Sequence, residues 1–143
     1  MSGDIRKMID KVRNFKQFMN ENMNDEIFLY HGTSLKNAEN IINYGFDEDT
    51  YWGDKSTAEQ YAYSYNKPVL IRLKKLEILT MLEPNTTLLN FYEDNMDEDE
   101  DYKEIIDMWN NSSQTVDESL DILGSVILPP NNIPISNDNI IKI

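Results

Sequence analysis

The chain has no cysteine, one histidine, five glycines and five prolines in 143 residues. Without cysteine there is no disulfide, no thiolate metal site and no cysteine nucleophile. With a single histidine, a structural zinc site is not expected. Cations are scarce: 13 Lys and Arg stand against 26 Asp and Glu, a formal net charge of −13. Phosphate backbones repel such a surface, so direct nucleic-acid binding is not expected. No apolar run approaches the roughly 20 residues that span a bilayer, and the N-terminus lacks the apolar core of a signal peptide. A cytoplasmic monomer with no membrane association is the expectation. Neither G-x-G-x-x-G nor G-x-x-x-x-G-K-[ST] occurs, and no nucleophile-elbow pattern supports a Ser–His–Asp triad. No arrangement of residues suggests a metal centre.

Hydrophobic residues make up 40% and aromatics 10% of the chain, enough for a packed core in one domain. Two regions are expected. Residues 1–25 carry an amphipathic helix, with Ile5, Met8, Ile9, Val12, Phe15 and Met19 at helical spacing. Arg6, Lys7, Lys11, Arg13 and Lys16 fall mainly off that stripe, the one basic region of an acidic protein. Residues 26–143 form the main domain, with an exposed acidic insert at 93–104, "EDNMDEDEDYKE".

Within the domain, "EIFLYH" predicts a strand ending near His31. A helix follows, capped by Ser34, with Leu35, Ala38, Ile41 and Ile42 inward and Gly45 at a left-handed C-cap. "DEDTYWGDK" is turn-rich. "STAEQYAYSY" predicts a second helix, capped by Ser56 or Thr57, with Ala58, Tyr61, Ala62 and Tyr65 inward. "VLIRLKKLEIL" predicts a strand. A helix through Ile105, Ile106 and Trp109 comes next, then β-like segments "SVILPP", "IPIS" and "NIIKI". The order suggests an α+β fold.

The one histidine precedes a glycine and a hydroxyl residue, His31-Gly32-Thr33. A strand-end imidazole faces a cleft edge, glycine lets a ligand approach the main chain, and a hydroxyl adds a polar contact. Alone, the tripeptide is a weak signal, and a histidine satisfying a loop hydrogen bond is the commoner case. Tyr51 and Tyr61 likewise have an ordinary explanation as core and rim packing.

Taken together, "YHGTS…AENIINYGF…TYWGDKSTAEQYA…VLIRLK" resembles the ADP-ribosyltransferase family, in its diphtheria-toxin-like and poly(ADP-ribose)-polymerase-like branch. The resemblance covers residues 27–75 and extends only loosely to the C-terminal strands. It implies a split β-sheet core with flanking helices, NAD⁺ as cosubstrate and a protein target. His31 would bind a ribose hydroxyl, and Gly32 would hold the nicotinamide carboxamide through its backbone. Thr33 would add a polar contact. Tyr51 would stack on the nicotinamide ring, with Tyr61 as the opposite wall. The family's catalytic glutamate falls at Gly124 or Ser125, in "GSVIL", where no carboxylate stands. Ser125 is thus the candidate in the acid's place, with Glu118 and Asp121 upstream as alternative acids. Losing the charge that faces a developing cation removes a term often worth several kcal/mol of barrier. The second reading is therefore a catalytically weakened module of the same fold, which inhibits a basic or nucleic-acid-binding partner by contact. The related RNA phosphotransferase chemistry expects a basic RNA-binding face that this composition lacks.

A shorter stretch, "NFKQFMNE" at 14–21, resembles the N-terminal packaging signals of internal proteins of T-even-type tailed phages. It implies trimming after Glu21 and delivery into a host cytoplasm.

Overall fold

A computed structural model describes residues 27–143. The N-terminal helix and the 14–21 motif lie outside the described residues. The chain is α+β, with one antiparallel sheet and helices on both of its faces. Among the described residues no helix is long and apolar enough to cross a membrane.

The order begins with β1 (Phe28–Ser34), α1 (Leu35–Tyr44), β2 (Thr50–Gly53), α2 (Lys55–Ala62) and β3 (Pro68–Lys74). A short α3 (Lys75–Ile78) leads to β4 (Glu83–Pro84). The α4 (Thr86–Asp94) and α5 (Glu100–Asn110) hairpin carries most of the acidic run. A short α6 (Val116–Glu118) and a π-helical turn (Ser119–Leu123) lead into β5 (Ser125–Leu128), and β6 (Ile140–Lys142) closes the order. The sheet runs β4-β5-β2-β1-β3-β6.

The two sides of β1 differ. Towards β3 the ladder runs through seven paired residues, from Phe28↔Lys74 to Ser34↔Pro68. Towards β2 the register is one pair, Tyr30↔Gly53. No further ladder pair joins the two strands, and residues of both line a cleft.

Period-two alternation sorts the strands into two faces. Leu29, Trp52, Val69, Ile71, Leu73, Val126 and Leu128 form the main core with Ala38 and Phe46. On the opposite face α2 lays Ala58 and Ala62 on Leu70 and Tyr30. Helices α4 and α5 and the π turn enclose a smaller core of Leu89, Ile106, Trp109 and Leu123.

Several local expectations shift. Strand β1 continues three residues past His31, because the ladder with β3 carries it to Ser34. Ser34 caps α1 as expected, accepting from the Asn37 amide at 3.1 Å. Gly45 ends α1 at φ 82°, a backbone that glycine adopts without penalty. The turn-rich "TYWG" is a strand, zipped to β5 in four pairs. Helix α2 is capped by Asp54 rather than Ser56 or Thr57: its carboxylate accepts from the Thr57 amide at 2.7 Å. The backbone hydrogen bond from Thr57, helped by the Thr57 side chain, holds the Asp54 carboxyl below its ordinary pKa against a smaller opposing effect of burial. Tyr61 and Tyr65 are exposed rather than inward. Helix α4 went unexpected, and "IPIS" forms no strand.

Candidate functional site

His31 is the fourth residue of β1, on the face that carries the main core. Its ring stacks on Trp52, with centroids 5.4 Å apart and planes 30° apart. Trp52 is itself pinned, because its indole N–H donates to Thr50 Oγ1 at 2.7 Å. His31 Nδ1 lies 2.8 Å from the Tyr51 carbonyl oxygen. A carbonyl can only accept, so the proton is assigned to Nδ1. Burial lowers the imidazole pKa below its ordinary 6.5, and the Tyr51 hydrogen bond acts more weakly the other way. The ring is therefore neutral near pH 7, with Nε2 left as a lone-pair acceptor.

That acceptor belongs to a residue lining a cleft of about 530 Å³. The walls include His31 and Thr33 from β1, Asn37 and Ile41 from α1, and Thr50 and Tyr51 from β2. The segment between α1 and β2 forms the outer wall. It is tied down where Phe46 exchanges two backbone hydrogen bonds with Asn131, each 3.0 Å.

The structure brings together only part of the expected constellation. His31, Thr33 and Tyr51 line the cleft. Thr33 is buried, and its hydroxyl accepts from the Asn37 side chain at 3.1 Å. Gly32 points the other way, towards α2. A Cβ there would lie 2.0 Å from the Ala58 carbonyl oxygen and 2.8 Å from the Ala62 nitrogen. The close approach that only glycine permits is thus occupied by a helix backbone. Tyr61 does not line the cleft, and Tyr65, one turn later, does. The Tyr61 phenol instead lies close enough to Tyr92 to help raise that residue's pKa, after burial and Tyr102.

Ser125 lies elsewhere again. Registry places it in a row with Gly53 and Tyr30, on the α2 face of the sheet. It is buried, and its hydroxyl accepts from the Asn85 side-chain amide at 2.7 Å. Its carbonyl accepts from the Ser119 hydroxyl at 2.7 Å, and Ser119 Oγ accepts from the Asn85 amide at 2.9 Å. Asn85 also caps α4, accepting from the Leu88 amide at 3.0 Å. The three residues satisfy one another and join β4, α4, the π turn and β5. Glu118 is engaged nearby, its carboxylate accepting from the Ser113 amide at 2.9 and 3.0 Å. Asp121 is exposed on the π turn. Neither acid lines the His31 cleft.

Sequence reasoning missed three groups of residues. Tyr65 hid in the same helical stripe as Tyr61, four positions on. Asp47, Glu48 and Asp49 passed for ordinary turn residues, yet they line the cleft. Asn85 carried no pattern, because its partners lie 34 and 40 residues away. Comparison with protein-family models, with curated proteins and with solved structures returns no match.

Proposed function

We propose that the chain is an NAD⁺-dependent mono-ADP-ribosyltransferase acting on a protein target. The observation that carries this reading is the His31 arrangement: a neutral imidazole, held through Nδ1 by the Tyr51 carbonyl, with Nε2 unpartnered among the described residues, on a residue that lines a cleft together with Tyr51. Such an Nε2 accepts a hydrogen bond from a ribose hydroxyl, and Tyr51, whose carbonyl orients the imidazole, lines the same cleft. The single pair that joins β1 to β2 suits the split sheet of the transferase family. In the reaction the bond between ribose C1′ and the nicotinamide nitrogen breaks, and its electron pair leaves with neutral nicotinamide. The target's nucleophile then bonds to C1′ and gives up its proton. Holding the ring and ribose fixed while the sugar becomes cationic is the protein's task. The proposal includes the cytoplasm as its site of action and a single copy as the working unit.

The second reading is a binding module that keeps the cleft and has no acid for turnover. The observation favouring it is the closed Asn85–Ser119–Ser125 network, at the residue that the resemblance sets in place of the family's glutamate. Labelled NAD⁺ incubated with the protein and a cell lysate separates the two. The transferase reading expects label on protein, lost in His31→Ala. It is abandoned if neither label transfer nor nicotinamide release occurs. Calorimetric binding of nicotinamide without turnover, abolished in His31→Ala, supports the module.

A further inference from the structure

The lining of the His31 cleft is one-sided in charge. Asp47, Glu48 and Asp49 stand in its walls, and among the described residues no lysine or arginine lines it. His31 adds no positive charge, because burial keeps it neutral near pH 7. Three tyrosines, Tyr44, Tyr51 and Tyr65, stand in the same walls and are exposed. Aromatic faces and nearby carboxylates both favour positive charge. A pyrophosphate inside the cleft would meet like charge from these wall residues, a repulsion that salt screens only beyond a Debye length of roughly 8–10 Å. Among the described residues no set of three His, Asp or Glu side chains is arranged to hold a metal ion. An organic cation fits this lining.

We infer that this cleft selects its ligand by positive charge: it takes the cationic end of the molecule, a flat organic cation, and keeps anionic groups outside. The identity of that cation as the pyridinium of NAD⁺ rests on the transferase reading; its charge rests on the lining alone. In that reading the nicotinamide and its ribose enter, and the pyrophosphate stays at the mouth. The arrangement has a chemical consequence. When the C1′–nitrogen bond breaks, the ring takes the bonding electrons and becomes neutral. The cleft then holds nicotinamide less tightly than the pyridinium it came from, which aids product release.

Calorimetric titration at low salt tests this with four probes: nicotinamide riboside (a cation), nicotinamide (neutral), nicotinate (an anion) and methylguanidinium (a cation without a pyridine ring). The riboside is expected to bind about tenfold more tightly than nicotinamide, and nicotinate not at all. The triple variant Asp47→Asn, Glu48→Gln, Asp49→Asn should lose the tenfold preference while keeping its melting temperature, since all three side chains are exposed. Nicotinate binding as well as nicotinamide overturns the inference, as does a preference that survives in the triple variant. If methylguanidinium binds in a carboxylate-dependent way and no nicotinamide compound does, the transferase reading fails and the charge selection stands. If the nicotinamide compounds bind irrespective of charge, the inference fails alone. Binding by none of the four sinks both.

Discussion

The surroundings of His31 and of Ser125 are built on opposite plans. Around His31 the ladder between β1 and β2 is a single pair, a ring nitrogen is left without a partner among the described residues, and acidic residues and tyrosines line a cavity. Around Ser125 the polar side chains are buried and satisfied by one another, with no ionisable group in the network. Buried polar groups that are fully paired hold a structure together; a spare acceptor on a cleft is available to a ligand. The lesson is that two residues assigned to one active site by their place along the chain do different work. One lines an open cleft, and the other is a joint between elements.

The largest expected effect comes from forcing chemistry onto the closed side. Ser125→Glu would bury a carboxylate with no cation near it, and should destabilise the fold by about 4 kcal/mol, seen as a lower urea midpoint. A variant that folds normally and gains NAD⁺ turnover would break the comparison, because Ser125 would then stand where an acid can work. Next is the wall between the two regions. Gly32→Ala drives a methyl into the α2 backbone and should cost on the order of 3 kcal/mol. Weak destabilisation there would mean that α2 moves away easily and that Gly32 is free for a ligand.

Asn85→Ala removes the α4 cap and the side-chain hydrogen bond to Ser125, while the backbone N–H that donates to Ser119 remains, for a loss of about 2 kcal/mol. Affinity for nicotinamide should not change, and a matching loss of affinity would show that the regions are coupled. The smallest effect is in pH. The folded pKa of His31 lies below its ordinary 6.5, so just below pH 6.5 the unfolded chain binds the proton and the native state does not. The His31 contribution is thus complete above pH 6.5 and declines as pH falls from there towards the folded pKa. Urea melts at pH 7.5 and 5.5 should show a loss in the wild type that is smaller in His31→Gln. Equal losses would mean that the imidazole is not buried by the cleft.

Much of the local structure was legible. The Ser34 cap, the α1 stripe, Gly45 and strand β3 follow from propensity and periodicity, which operate over a few residues. Helix α4 was harder, since "TTLLNFYED" begins with two β-branched threonines and its cap, Asn85, is buried by distant partners. The site was half legible. His31, Thr33 and Tyr51 do share a cleft; the first two stand together in the sequence, and Tyr51 was singled out only by the family resemblance. Gly32 shows why adjacency is not enough: in a strand, neighbours point to opposite faces, so it meets α2 while His31 and Thr33 meet the cleft.

By itself the sequence determined the composition-level exclusions, the α+β order and the singling out of one imidazole beside a glycine. It did so because charge, missing cysteine and short-range periodicity are properties of the chain alone. The tertiary structure decided the rest. It chose Tyr65 over Tyr61 as a wall of the cleft, brought three acidic turn residues to the same walls, and closed Ser125 into a joint with Asn85 and Ser119. Each of those outcomes depends on where strands pair and where helices dock, and such long-range contacts leave no mark on the spacing of residues along a single chain.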